Sequence, residues 1–176
     1  KFYRLDAGSG KTEVFRGNTA KFPRLGLAVA APNDGVVIYD LTQPGCPMWM
    51  VIRSTDLQWQ YAEILSLAYA QGKLLRGATS ATNPAYATKS RVDVFDFARD
   101  QYGSCSSSAS YVRRGNIADR ANVGVVGLVT PNLFDLPSYI VNSIAVTTLP
   151  AAPVDPVTGL KVPTIAVATS GGAALV

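Results

Sequence analysis

Gly8-Ser9-Gly10-Lys11-Thr12 is the stretch whose residue types come nearest to a phosphate-binding loop. A Walker A loop needs a glycine five residues before its second one, and Leu5 stands there. It also needs a helix to begin at the Lys-Thr pair, so that free backbone N–H groups point at the phosphate. Here Glu13-Val14-Phe15-Arg16 is strand-like and Gly17-Asn18 is a turn pair, so a glycine-rich hairpin turn is expected instead. Asp93, Asp96, Asp100, Asp119 and Asp135 are the carboxylates that a glycosidase pair or a calcium site would draw on. Glycoside chemistry needs two carboxylates at a fixed separation in a cleft, and nothing in the spacing brings two together. The dense D-x-D-x-D-G run of a calcium loop is absent. These aspartates are read as solvated or turn-capping. The serine-rich YGSCSSSAS (102–110) has no base partner, because the chain holds no histidine and no Ser-x-x-Lys. Trp49, Trp59 and Tyr61 are the candidates for an aromatic platform on which a sugar could stack. Trp49 lies in the apolar run Met48-Trp49-Met50 and is expected to be buried between sheets. Trp59 and Tyr61 would share one side of a strand, and they are the residues assigned to a glycan contact.

The bulk numbers agree with the lack of a catalytic set. Zero histidines exclude any mechanism with imidazole as acid, base or ligand. Cys46 and Cys105 are not in a CxxC pair, which argues against zinc and favours two free thiols over one disulfide. The net charge of +4 comes from scattered Lys and Arg, with Arg113, Arg114 and Arg120 the tightest cluster. A nucleic-acid footprint needs a basic stripe interleaved with aromatics, so no nucleic-acid partner is expected. No apolar run reaches the roughly 18 residues that a membrane helix needs, and no membrane partner and no cofactor are expected.

The positions that could carry function must be held by strands. The chain has 176 residues, 48% of them hydrophobic and 16% charged, which suffices for a sizeable core in one domain or a piece of one. Fifteen glycines and 11 prolines spread along it argue for short strands joined by turns. Leu25–Ala31 and Val36–Tyr39 flank Pro32-Asn33-Asp34-Gly35, a hairpin turn whose Asp-Gly supplies positive φ. Further strands are expected at Met48–Ile52, at Lys73–Thr79 after the turn pair Gln71-Gly72, at Arg91–Phe97, at Ile140–Thr147 and at Pro163–Thr169. The segment Trp59–Gln71 fits a helix or a buried strand, because its apolar residues keep neither period cleanly. Residues 77–90 and 100–137 read as long loops, the second an insertion. Residues 150–163, with four prolines, read as a rigid exposed loop. The start at Lys1 and an apparent strand beginning at Gly171-Gly172 suggest artificial ends, and hence a fragment of a larger chain.

A pattern of apolar strand, glycine turn and second apolar strand recurs. It is seen in LAVAAPNDGVVIYD (27–40), in LLRGATS with RVDVFD (74–96), and in IAVATSGGAALV (165–176). The strand before it recurs too: ILSLAY (64–69) matches VNSIAV (141–146), aligning Ser66 with Ser143. Leu27 and Leu74 are 47 residues apart, and a four-stranded unit at roughly that spacing is the mark of a β-propeller blade. The expected class is therefore all-β, a partial propeller of about three blade-like antiparallel units. An irregular β-sandwich is the alternative. One β-rich domain or domain fragment spans 1–176.

RLDAGSGKTEVFRGNTAKFP (4–23), GVVIYDLTQPGCPMWMVI (35–52) and LPAAPVDPVTGLKVPTIAVATSGG (149–172) carry a family resemblance. Together they resemble a group of uncharacterised bacteriophage and marine-virus proteins with propeller-like repeats, found among virion and tail-associated products. The resemblance implies a structural or adsorption-associated role in the virion, with other virion proteins as partners in an oligomeric assembly. It carries no catalytic residue. Carbohydrate binding through Trp59 and Tyr61 for host-surface attachment is the alternative, and a polysaccharide hydrolase is a second.

Overall fold

The computed structural model describes residues 22–31, 35–52, 63–79, 91–99, 101–105, 110–114, 136–138 and 140–176, with the backbone pairs 5–6 and 11–12. Among these residues there is no helix, and the chain is all-β. A short hairpin joins β1 (Leu5–Asp6) to β2 (Lys11–Thr12) with Asp6 opposite Lys11. Lys11 and Thr12 thus lie on a strand, where a phosphate-binding helix would have to start.

The rest forms three antiparallel sheets, each continuous in chain order. The first is β3 (Gly26–Ala31), β4 (Gly35–Asp40) and β5 (Met48–Ile52). The central sheet has five strands: β6 (Glu63–Ala70), β7 (Lys73–Thr79), β8 (Arg91–Asp96), β9 (Gln101–Cys105) and β10 (Ser110–Arg114). The third is β11 (Val141–Thr147), β12 (Thr164–Thr169) and β13 (Gly172–Leu175). Tight turns set the pairing. Gln71 and Gly72 take φ of 50° and 69°, the paired positive values of a two-residue hairpin turn between Ala70 and Lys73.

The central sheet is covered on both faces. Its front face carries Leu74, Phe95, Phe97 and Tyr102 and packs against Val36, Ile38, Met50 and Ile52 of the first sheet. Its rear face carries Leu75, Val92 and Cys105 and packs against Val141, Ile144, Ile165 and Val167 of the third. Two-sided cover explains why neighbouring residues such as Leu74 and Leu75 are both fully buried.

Trp59–Gln71, read as helix or strand, contains a strand, and its ambiguous period has a cause. A bulge between Ile64 and Ser66 leaves Leu65 unpaired. The extra residue reverses the alternation, so Ile64 and Leu67, three apart as on a helix, pack on the same core layer. β11 repeats the device at the aligned place, with a bulge between Val141 and Ser143 that puts Val141 and Ile144 on one face.

The 100–137 segment read as one long loop also needs correction, because 101–105 and 110–114 within it are β9 and β10. Tyr102-Gly103-Ser104-Cys105 lacks an alternating pattern because all four residues are buried; ladder pairing with β8 makes it a strand.

Gly77 shows how closely the central and third sheets approach. A Cβ there would lie 2.8 Å from Val141 Cγ1 and 3.1 Å from Ile144 Cδ1. Gly77→Val is expected to cost about 1–3 kcal/mol by overpacking, read as a lower denaturant midpoint at unchanged slope.

Candidate functional site: the open sheet faces

Three features of the structure bear on function: a buried charge network, a tethered proline-rich loop, and two uncovered sheet faces.

The network lies on the front of the central sheet. Arg76 on β7 stands directly opposite Asp93 on β8, and Ser104 on β9 opposes Asp93 from the other side. Arg76 Nη1 donates to Asp93 Oδ2 at 2.6 Å, and the Tyr102 hydroxyl donates to Asp93 Oδ1 at 2.6 Å. Arg91 Nε stands 3.3 Å from the same oxygen. Side-chain exposure is 1% at Arg76 and 0% at Asp93. Burial pulls the Arg76 guanidinium below its ordinary range, against the opposing field of Asp93. Burial is the largest single influence on Arg91 too and opposes its charge, but Asp93 and Tyr102 together outweigh it and the pKa is raised. Asp93 is therefore not solvated, as its sequence context suggested, but sits at the centre of an ion cluster. One carboxylate held by arginines and a tyrosine offers no second carboxylate for glycoside chemistry. It does pin register: a one-residue slip of β8 would move Asp93 onto the apolar rear face.

Asp40 and Asp96 are turn caps. Burial raises the cost of ionising Asp40, but hydrogen bonds from the Thr42 hydroxyl, the Thr42 N–H and Gln43 prevail and lower its pKa. Asp96 accepts the Arg99 N–H and pairs with Lys73 across the ladder. Asp100, Asp119 and Asp135 lie outside the described residues.

The loop 150–163 is internally bonded. Val154 bridges Lys161, and Asp155 N–H donates to the Leu160 carbonyl at 2.8 Å. Arg99, after β8, reaches Asp155 at 2.5 Å and ties the loop to the central sheet. The Arg99 hydrogen bond first, and then that from Val157 N–H, hold the Asp155 carboxyl down to about 2, against an ordinary 3.8. A depressed carboxyl contributes its stability in full above the unfolded value and loses it as pH falls through the folded one. The loop contact is therefore expected to be intact above pH 3.8 and lost towards pH 2. In an NMR titration the Val157 amide should report a midpoint near 2, and Arg99→Leu should move that midpoint up towards the ordinary value.

The uncovered faces lie at the two ends of the stack. On the front of the first sheet, Leu25, Leu27 and Val29 are 58%, 49% and 42% exposed, beside half-buried Val37 and Tyr39. The recurring pattern shows what this face lacks. Leu27 aligns with Leu74 and Ile165, and both of those are buried by the preceding sheet. On the rear of the third sheet, Ser143 and Ala145 of β11 pair with Ala168 and Ala166 of β12, which pair with Ala173 and Leu175 of β13. Leu175 is 76% exposed. The matching rear positions of the first sheet, Val36 and Ile38, are fully buried. None of the side chains named on either face is charged, and apolar faces of this kind mark interaction surfaces.

Trp49 is half-buried in the first layer, edge-on to Phe97 with ring centroids 4.9 Å apart. Trp59 and Tyr61, the sequence candidates for a glycan contact, lie outside the described residues. Cys46 is exposed, Cys105 is buried, and neither is in a disulfide. The open faces escaped the sequence reading because their residues match their buried counterparts; only the repeat alignment laid on the structure separates them.

Comparison with protein-family models, with curated proteins and with solved structures found no match.

Proposed function

We propose that this chain is a structural, interaction-type protein of a bacteriophage particle, a β scaffold that packs against other virion subunits. The observation that carries the reading is the pair of apolar sheet faces left open at the two ends of the stack, at positions that are covered inside it. The sheets are read as blades of a partial propeller. In support, each sheet is one antiparallel meander in chain order, the central sheet is sandwiched between its sequence neighbours, and β6 and β11 carry the same bulge before the same serine. One twisted blade cannot cover both its faces, so a partial ring depends on neighbours. The resemblance of 4–23, 35–52 and 149–172 to virion and tail-associated products supplies the setting. The described carboxylates are engaged in ion pairs or turn caps, which supports a scaffold over a hydrolase.

The test is mass spectrometry of purified phage particles from the source that encodes the chain. Peptides such as 162–176 recovered in fixed stoichiometry to a major virion protein are expected. Their absence from washed particles would overturn the reading.

A further inference from the structure

Ser66 does more than pack. Its hydroxyl accepts the Ile144 N–H at 2.9 Å and donates to the Ile144 carbonyl at 3.2 Å. Ile144 lies on β11, the edge strand of the third sheet, so its outward main-chain groups would otherwise lack a ladder. One serine on the rear of one sheet thus seats the edge strand of the next, beside the apolar contact of Leu75, Ala68 and Val92 with Val141 and Ile165. This is a complete docking device: a bulge, a serine two residues on, and a small-residue apolar face.

The third sheet carries the same device with nothing on it among the described residues. Its bulge sits between Val141 and Ser143, Ser143 is exposed, and Ala145, Ala168 and Ala173 continue the face. The surface that such a face accepts inside the molecule is the front of a neighbouring sheet. Among the described residues one front is open, that of the first sheet, with β3 as its edge strand and Leu25, Leu27 and Val29 exposed. An open rear and an open front are the two kinds of sheet face that the chain already packs together, first sheet on central and central on third.

Resting on the scaffold reading above, we infer that the occupant is a second copy of this chain. It is seated head to tail, with its first-sheet front on the Ser143 face. Such an interface is heterologous, so it propagates into a closed ring or a filament rather than stopping at a two-fold dimer.

The test uses the purified chain in analytical ultracentrifugation over a wide concentration range. Concentration-dependent growth beyond a dimer is expected. Ser143→Arg and Leu27→Arg each place an unpaired charge in the contact while altering an exposed site, and each should weaken self-association about 100-fold or more. Circular dichroism checks that both variants keep the fold, and Ala168→Arg serves as a second rear-face variant. Each variant retains one sound face. An equimolar mixture of Ser143→Arg and Leu27→Arg should therefore form a one-to-one pair that neither forms alone. A wild-type chain that stays monomeric overturns the inference, as does loss of association with one variant but not the other, which marks a two-fold contact. Either result leaves the particle test of the scaffold role untouched, and absence from particles leaves the self-association result standing.

Discussion

Asp93→Ala is expected to destabilise the protein by about 3–5 kcal/mol, the largest loss from any single polar change in the central sheet. The cost does not measure the strength of the Arg76 pair. Removing the carboxylate strands a guanidinium in a site with 1% exposure and takes the acceptor from the Tyr102 hydroxyl. Desolvation of a cation that has lost its carboxylate then dominates. The same reasoning makes the compensated variant informative. Arg76→Met, Asp93→Leu and Tyr102→Phe together leave no buried charge from this trio, and Arg91, which is partly exposed, can turn its head to water. The triple variant should recover most of the lost stability in chemical denaturation. If it stays as unstable as Asp93→Ala, the cluster contributes through mutual attraction rather than merely avoiding a stranded charge. The register argument gives a separate readout. The triple variant should show broadened or doubled amide signals in β8, because the polar mark that distinguishes its two faces is gone.

Phe97→Ala should cost about 3–5 kcal/mol, lowering Tm by about 10 °C or more for a chain of this size. Phe97 is fully buried at the turn after β8, and its N–H donates to the Gly72 carbonyl at 2.9 Å. Its ring lies edge-on to Trp49 and stacks on Phe95 at a centroid separation of 6.4 Å. It therefore joins the first sheet to the central one, and its loss opens a cavity between two layers that cannot close without moving a whole sheet. In a Trp59→Phe background, Trp49 is the sole fluorophore of its kind, and its emission should shift to the red on Phe97→Ala. An unshifted emission with an unchanged Tm would mean that the first sheet does not depend on this contact.

Much of the strand layout was legible in the residues. The turn pairs Gln71-Gly72 and Asp34-Gly35 announce reversals because positive φ is a local demand, met at Gln71, Gly72 and Gly35. Met48–Ile52 and Lys73–Thr79 match β5 and β7 to the residue. β9 was not legible, since it is buried on both faces and carries no alternation. β6 was ambiguous because the bulge at Leu65 gives it a helix-like spacing. Asp93 gave no sign of its role, because the residues that hold it come from β7 and β9, which only sheet pairing brings alongside.

By itself, the order of residues determined the all-β class, most strand limits and the recurrence that aligns Ser66 with Ser143. These depend on backbone φ, on alternation and on turn chemistry, all of which act over a few residues. Only the tertiary structure decided which copies of the repeated faces are covered and which are open, and that an aspartate in mid-strand anchors an ion cluster. Burial belongs to the stacking order of whole sheets. Leu27, Leu74 and Ile165 hold the same place in the recurring pattern, yet Leu27 is exposed while the other two are buried under the preceding sheet.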